Sequence, residues 1–235
     1  MIEGKPIKTA ICMPVGDYMP VLTAFDMYRM GAWNASKHIK TGIFMSGGSV
    51  IPKQRQHLAT VAMADESFTH LLWLDSDIRF PPDTLERLLS HNAPIVCASY
   101  TERTTPHRPV AFSNLNDFSE RVYTTPGCIG VEEIAACGFG CVLMEKKILE
   151  GMSKPWFMIG YVPSQETFVG EDIFFFTKMK METGFPLLLD HDLTRELRHT
   201  GRHEFTNDNA LDLQAKREEA QAQEENPSGD LQLIR

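Results

Sequence analysis

His70-Leu71-Leu72-Trp73-Leu74-Asp75-Ser76-Asp77, running on into Ile78-Arg79-Phe80-Pro81-Pro82-Asp83-Thr84-Leu85, decides the reading of this chain. Leu71–Leu74 is a short continuous apolar run, the mark of a strand buried on both faces. It stops abruptly at two carboxylates one residue apart, and Pro81-Pro82 then opens a helix through Leu89. Upstream, Lys8–Met13 is a partly β-branched strand closed by Pro14-Val15-Gly16-Asp17. A helical stretch from about Met19 to His38 follows, then a strand from Thr41 to Met45 closed by Ser46-Gly47-Gly48. Pro52–Glu66 is helical, with Leu58, Val61 and Ala62 on one face, and Ile95–Ala98 is the next strand. Strands alternating with helices over the first hundred residues predict a mostly parallel α/β sheet sandwiched by helices. Ligands of such sheets bind beyond the carboxyl ends of the strands, which singles out the loops 14–18, 46–55 and 75–80.

The second half has a mixed pattern. Val110–Thr125 reads as a hairpin, and Ile134–Met144 as one long strand interrupted by Gly138 and Gly140, where backbone or ligand approaches closely. Glu171–Glu182 is helical, Leu187–Leu189 is a last strand, and Leu211–Glu225 is a polar helix before the linker-like Asn226-Pro227-Ser228-Gly229. The division this suggests is a catalytic unit over 1–206, with halves at 1–100 and 101–206, and an acidic, peripheral tail over 207–235. That tail holds three Lys/Arg against seven Asp/Glu, in a chain of 235 residues and formal charge −8. Neither part is basic, which disfavours broad attachment to nucleic acid. Apolar runs fall well short of the ~18 residues of a membrane span, and no amphipathic membrane-binding helix stands out. The charged N-terminus lacks a signal-peptide core, and five cysteines without a CxxC pair suit a reducing compartment. The expectation is a cytoplasmic protein, monomer or weak homodimer, with no membrane partner.

Three local patterns could carry chemistry. Asp75-Ser76-Asp77 at a sheet edge suits a hard divalent cation sharing substrate phosphate oxygens, or is a polar turn feeding the next helix. Glu171 and Asp172 after Gly170 either complement a helix dipole or supply a general base. His199, in Arg198-His199-Thr200-Gly201, is either a hydrogen-bonded surface residue or the imidazole completing a manganese site.

Taken in order, His70–Leu85, Lys154-Pro155-Trp156-Phe157, Gly170-Glu171-Asp172-Ile173-Phe174-Phe175 and Asp190–Gly201 resemble the GT-A-fold nucleotide-sugar glycosyltransferases, in particular small stand-alone members from phages and prokaryotes. The likeness spans residues 7–205. It implies a Mn²⁺ or Mg²⁺ cofactor on Asp75, Asp77 and His199, with Asp77 the more direct ligand. It implies a nucleotide-diphosphate sugar, a UDP-sugar foremost, held by Pro14, Val15, Gly16, Asp17, Arg55, Asp75 and Ser76. Donor sugar and acceptor fall to Gly138, Phe139, Gly140, Trp156 and Glu171, with Trp156 an aromatic platform. Asp172, beside Glu171, is implied as the catalytic base of an inverting displacement, the favoured outcome, or as the residue that orients the acceptor if configuration is retained.

The chain also departs from that pattern. Met45-Ser46-Gly47-Gly48 replaces the acidic turn that many relatives use for uracil, which leaves the nucleobase open. Asp190-His191-Asp192 reads as a loop that could also offer metal ligands, and Arg79, Arg103 and Arg108 either are solvated surface or line the mouth of the cleft and touch phosphate or acceptor. The competing readings are a nucleotidyltransferase acting on a sugar phosphate and a non-catalytic sugar-nucleotide or glycan-binding module. The acceptor stays open among a small molecule, a glycan and a modified phage DNA base.

Overall fold

The structure is a computed structural model that describes residues 6–115, 117, 119–163, 166–201 and 204–225. In chain order the elements are β1 (Lys8–Val15), α1 (Val21–Ser36), β2 (Lys40–Gly47), α2 (Ile51–Ala64), β3 (His70–Leu74), β4 (Ile78–Arg79), α3 (Thr84–Ser90) and β5 (Ile95–Cys97). There follow β6 (Ala111–Phe112), β7 (Val131–Ile134), β8 (Ala136–Cys137), β9 (Cys141–Glu145), α4 (Lys146–Glu150), β10 (Gly160–Val162) and β11 (Thr167–Val169). The chain continues through α5 (Glu171–Thr183), β12 (Leu187–Asp190), α6 (His191–Thr194), β13 (Arg198–Thr200), β14 (Glu204–Phe205) and α7 (Asn207–Glu225).

A seven-stranded sheet of order β2-β1-β3-β9-β5-β12-β7 forms the centre. β2, β1 and β3 are parallel, with Ile11 opposite both Ile43 and Leu72, and β5 and β12 run the same way. β3 is buried along its whole length, as its unbroken apolar run requires. Alternation of side chains divides the core. Ala10, Cys12, Leu71 and Trp73 face α2 and α5, whereas Ile11, Met13, Leu72 and Leu74 face α1 and α3. The first of these halves centres on Phe139, whose ring lies 4.9–5.6 Å from those of Trp73, Phe157, Phe175 and Phe176.

The α/β architecture agrees with the alternating pattern, but the second half is folded differently from its linear reading. β9 inserts antiparallel between β3 and β5, with Leu143 opposite both Leu72 and Val96. The single strand expected over Ile134–Met144 is three short ones, because the chain turns at Gly138 and Gly140 beneath the Tyr100 ring. A Cβ at either glycine would come within 2.5 Å of that ring or its hydroxyl. The expected Val110–Thr125 hairpin is reduced to β6, which pairs with β8, and an isolated Phe112–Arg121 bridge. The terminal helix starts at Asn207, earlier than its apolar residues suggest. Asn207 donates to the Thr124 carbonyl and Ala210 is fully buried, so the first turn of the tail is packed and not peripheral. The break at Asn226–Gly229 lies outside the described residues. Among the described residues no helix is long and apolar enough to cross a membrane.

Phe139→Ala empties the centre of this aromatic cluster and should cost about 3–5 kcal/mol in denaturant unfolding. Phe168→Ser, at a ring 73% exposed on β11, should stay within about 0.5 kcal/mol of the parent. Equal losses would contradict the packing described.

Candidate functional site

The carboxyl ends of β1, β2, β3 and β5 open onto a cleft of about 730 Å³. Pro14, Val15 and Gly16 line one wall, and Arg55, Asp75, Ser76, Asp77 and Phe139 line the floor. Glu171, Asp172, His199 and Tyr100 close the other side. All three ligand loops inferred from strand polarity therefore reach it.

Asp75 leaves β3 through a tight turn, with its N–H on the Gly140 carbonyl and its own carbonyl accepting from Ile78. Arg55, one turn into α2, is almost fully buried. Its Nη2 donates to Asp75 Oδ1 at 2.8 Å and its Nε to Glu171 Oε1 at 2.9 Å. The guanidinium lies 5.1 Å from the centre of the Phe139 ring, a favourable cation–π distance. Arg55 thus clamps two carboxylates rather than reaching into open space, and its Nη1 has no hydrogen-bond partner among the described residues. Burial pushes the Asp75 carboxyl above its ordinary value, with the Asp77 charge adding to this and Arg55 opposing it.

Asp77 is brought to His199 by a small ladder. β13 pairs antiparallel with β4, and Thr200 gives both its N–H and its hydroxyl to the Asp77 carbonyl, at 2.7 and 2.6 Å. His199 Nδ1 lies 2.8 Å from the Thr101 carbonyl oxygen. That oxygen only accepts, so Nδ1 carries the proton and Nε2 presents its lone pair when the ring is neutral. Nε2 faces Asp77 Oδ2 at 3.4 Å. Two electron-rich atoms at that separation are stable with a proton on Nε2 or a cation between them. Desolvation would raise the Asp77 carboxyl, yet His199 and Arg103 hold it below its usual value.

Among the described residues no three His, Cys, Asp or Glu side chains converge at ligand spacing. Of the three residues expected to share a metal, Asp75 is committed to Arg55, whereas Asp77 and His199 face each other. Two donors still suit Mg²⁺ or Mn²⁺, which takes one or two carboxylates and completes its shell with water and substrate phosphates. The backbone carbonyl on Nδ1 is the usual outer partner of a ligating histidine.

Asp172 Oδ1 turns back to accept from the Ile173 N–H at 2.8 Å. A Cβ on Gly170 would meet that oxygen at 2.5 Å, so a larger residue there would push the Asp172 carboxylate aside. Burial first, then the neighbouring Glu171 charge, push the Asp172 carboxyl up to about 6. Glu171 is spent on Arg55, so it positions more than it reacts.

Several residues sit elsewhere than the resemblance implies. Trp156 is 4% exposed in the core, its indole donating to the Leu149 and Met152 carbonyls, and cannot be a platform. Gly138 and Gly140 serve the Tyr100 packing and, like Asp17, do not line the cleft. Asp190, His191 and Asp192 are consumed structurally. Asp190 caps α6 and meets His91, His191 bridges Thr124 and Glu132, and Asp192 holds Gly130 and Arg195. Two further residues line the cleft, Arg103, for which the sequence left two readings open, and Tyr100, which it did not single out. Arg103 is not merely solvated surface, since it reaches Asp77 Oδ2 at 3.3 Å. Tyr100 lines the cleft with its ring edge-on to His199 at 5.0 Å. Burial, with Asp75 and Asp172 nearby, pushes its phenol well above the ordinary value, so it stays a hydrogen-bond donor. Nothing around Tyr100 in the sequence signals this, because its place depends on glycines forty residues later.

No protein-family model matches the chain, and no curated protein matches it in sequence. Among solved structures it is similar to A197 from STIV, with TM-score 0.54 and 16% identity over 86% of this chain and 94% of that one. The likeness is one of fold. A looser overlap, with TM-score 0.45 and 14% identity over 83% of this chain and 71% of the other, exists with a mutant Drosophila beta-1,4-galactosyltransferase 7 in complex with manganese, UDP-Gal and xylobiose.

Arg55→Met would leave the Asp75 and Glu171 carboxylates facing each other without a counter-charge. Removing one member of a buried ion pair costs about 3–5 kcal/mol, to be read from chemical unfolding at neutral pH. A loss within experimental error would show that the clamp is not a constraint on the fold.

Proposed function

We propose that this chain is a GT-A-type glycosyltransferase. It would move a sugar from a nucleoside diphosphate sugar, UDP the leading carrier, to a hydroxyl acceptor with inversion. The observation that supports it most directly is the pairing of Asp77 with a His199 whose tautomer is set by Thr101, in one cleft with Asp172. Asp77 and His199 would hold Mn²⁺ or Mg²⁺, and when bound that ion supplies charge neutralisation for the departing diphosphate. Asp172 accepts the acceptor's hydroxyl proton as that oxygen bonds to the anomeric carbon and the bond from that carbon to the diphosphate oxygen breaks. Its raised carboxyl makes it a better base than an ordinary aspartate while leaving it ionised at neutral pH. Tyr100 donates a hydrogen bond to a substrate oxygen, and Arg55 keeps Asp75 and Glu171 apart so that neither drifts into the donor's place. On this reading residues 1–206 are the catalytic unit.

With UDP and Mn²⁺ together at ~100 times the dissociation constant, the folded state gains about 2.7 kcal/mol, a rise of roughly 5–10 °C in Tm for a chain of this size. The rise should need the metal and vanish in His199→Ala. Metal-independent shifts, or none with any nucleoside diphosphate, would overturn the reading.

Asp172→Asn should keep that thermal shift but lose turnover by about 10²–10⁴-fold. Wild-type turnover should fall on acidification below about 6, because the base is then protonated, and the acid limb should be absent from the residual rate of the asparagine variant. A limb that survives the substitution would assign it to another group.

A further inference from the structure

One carboxylate oxygen in the cleft faces two nitrogen partners. Asp77 Oδ2 lies 3.4 Å from His199 Nε2 and 3.3 Å from Arg103 Nη1. That Nη1 also donates to the carbonyl oxygen of Thr200, the residue after His199, at 3.3 Å. The guanidinium thus rests against the same two residues that would hold a divalent ion.

The backbone beneath Arg103 is anchored, whereas its side chain is lightly held. The Glu102 N–H donates to the Arg108 carbonyl at 2.8 Å, Thr101 bridges to Pro109, and the Glu102 carboxylate meets Arg121 at 2.8 Å. Thr101 is also the residue whose carbonyl sets the His199 tautomer. The Arg103 side chain, by contrast, is 49% exposed, and both of its contacts are at the long end for a hydrogen bond. An exposed ion pair of this kind is weak and easily exchanged.

Charge decides what it exchanges for. A cation on Asp77 Oδ2 and a guanidinium on that same oxygen repel each other, so Arg103 must yield the oxygen to a metal. The charges of a diphosphate diester and of Asp77 together exceed that of a divalent ion, which leaves a place for one more cation. Among the described residues that line the cleft, the only Lys or Arg side chains are Arg55 and Arg103. Arg55 is spent on two carboxylates, and the free fork of Arg103 matches phosphate oxygens.

We propose that Arg103 is an exchangeable counter-ion. It pairs with Asp77 until a divalent cation claims that carboxylate, and it then turns to the diphosphate of the donor. The inference rests on the metal and nucleotide reading of the cleft given above. It makes Arg103 oppose the metal alone and favour the metal with nucleotide, so each ligand tightens the other.

Mn²⁺ titrations followed by the electron paramagnetic resonance of the free ion, with and without UDP, test this without any sugar transfer. Arg103→Ala should bind Mn²⁺ alone about two- to fivefold more tightly than the wild type, because a competing cation is gone. In saturating Mn²⁺ the same variant should bind UDP about tenfold or more weakly, because a charged hydrogen-bond donor is gone. Arg103→Lys should keep both constants nearer the parent, and Phe168→Ser, at an exposed ring on another element, should leave both unchanged. A residue that merely supports the fold would weaken both ligands together, and that result overturns the proposal. So does an Arg103→Ala variant whose Mn²⁺ or UDP affinity matches the wild type, an outcome that leaves the glycosyltransferase reading standing. A wild-type chain that binds neither Mn²⁺ nor UDP would overturn both.

Discussion

Arg55 carries its guanidinium into a region from which water is nearly excluded, and carboxylates from opposite halves of the chain meet it there. Transferring an unpaired charge into such surroundings costs several kcal/mol, and attraction offsets that only where geometry is good and partners are close. Asp75 at the end of β3 and Glu171 at the start of α5 supply both conditions, with the Phe139 face beneath. The consequence reaches beyond the ion pairs. Glu171 cannot leave Arg55 without stranding the buried cation, so the first turn of α5 and the Asp172 it carries are held over the cleft. Asp75 likewise cannot swing toward a ligand without exposing the same charge.

That constraint also divides the labour in the acidic loop. The two aspartates of Asp75-Ser76-Asp77 are chemically identical and two residues apart, yet their surroundings separate them. Asp75 is turned inward, and burial favours its neutral form. Asp77 is turned outward, where His199 and Arg103 favour its anion. One residue is an internal strut and the other faces the cleft, and only the tertiary structure separates them.

Much of this was legible in the sequence because it depended on local pattern. The unbroken Leu71–Leu74 run identified a strand buried on both faces, and the alternation through Ala98 identified the layers. Strand polarity then pointed at the three loops that reach the cleft. What escaped depended on residues distant in sequence. Trp156 follows a proline and resembles a platform, but its indole finds backbone carbonyls inside the core, where burial outweighs exposure to a ligand. Tyr100 looked unremarkable because the space it fills is made by Gly138 and Gly140. The antiparallel entry of β9 was hidden for the same reason: a strand's direction is set by its neighbours, and Cys141–Glu145 reads alike either way.

That entry bears on how the molecule can come into being. β3 and β5 never touch as neighbours, because β9 fills the slot between them, hydrogen-bonded to both. A nascent chain that has emerged only as far as β5 therefore has two raw sheet edges and no strand to close them. It must wait some forty residues for the missing piece. Residues 1–100 alone leave the facing edges of β3 and β5 unpaired, so this half should not be separable as an autonomous fragment.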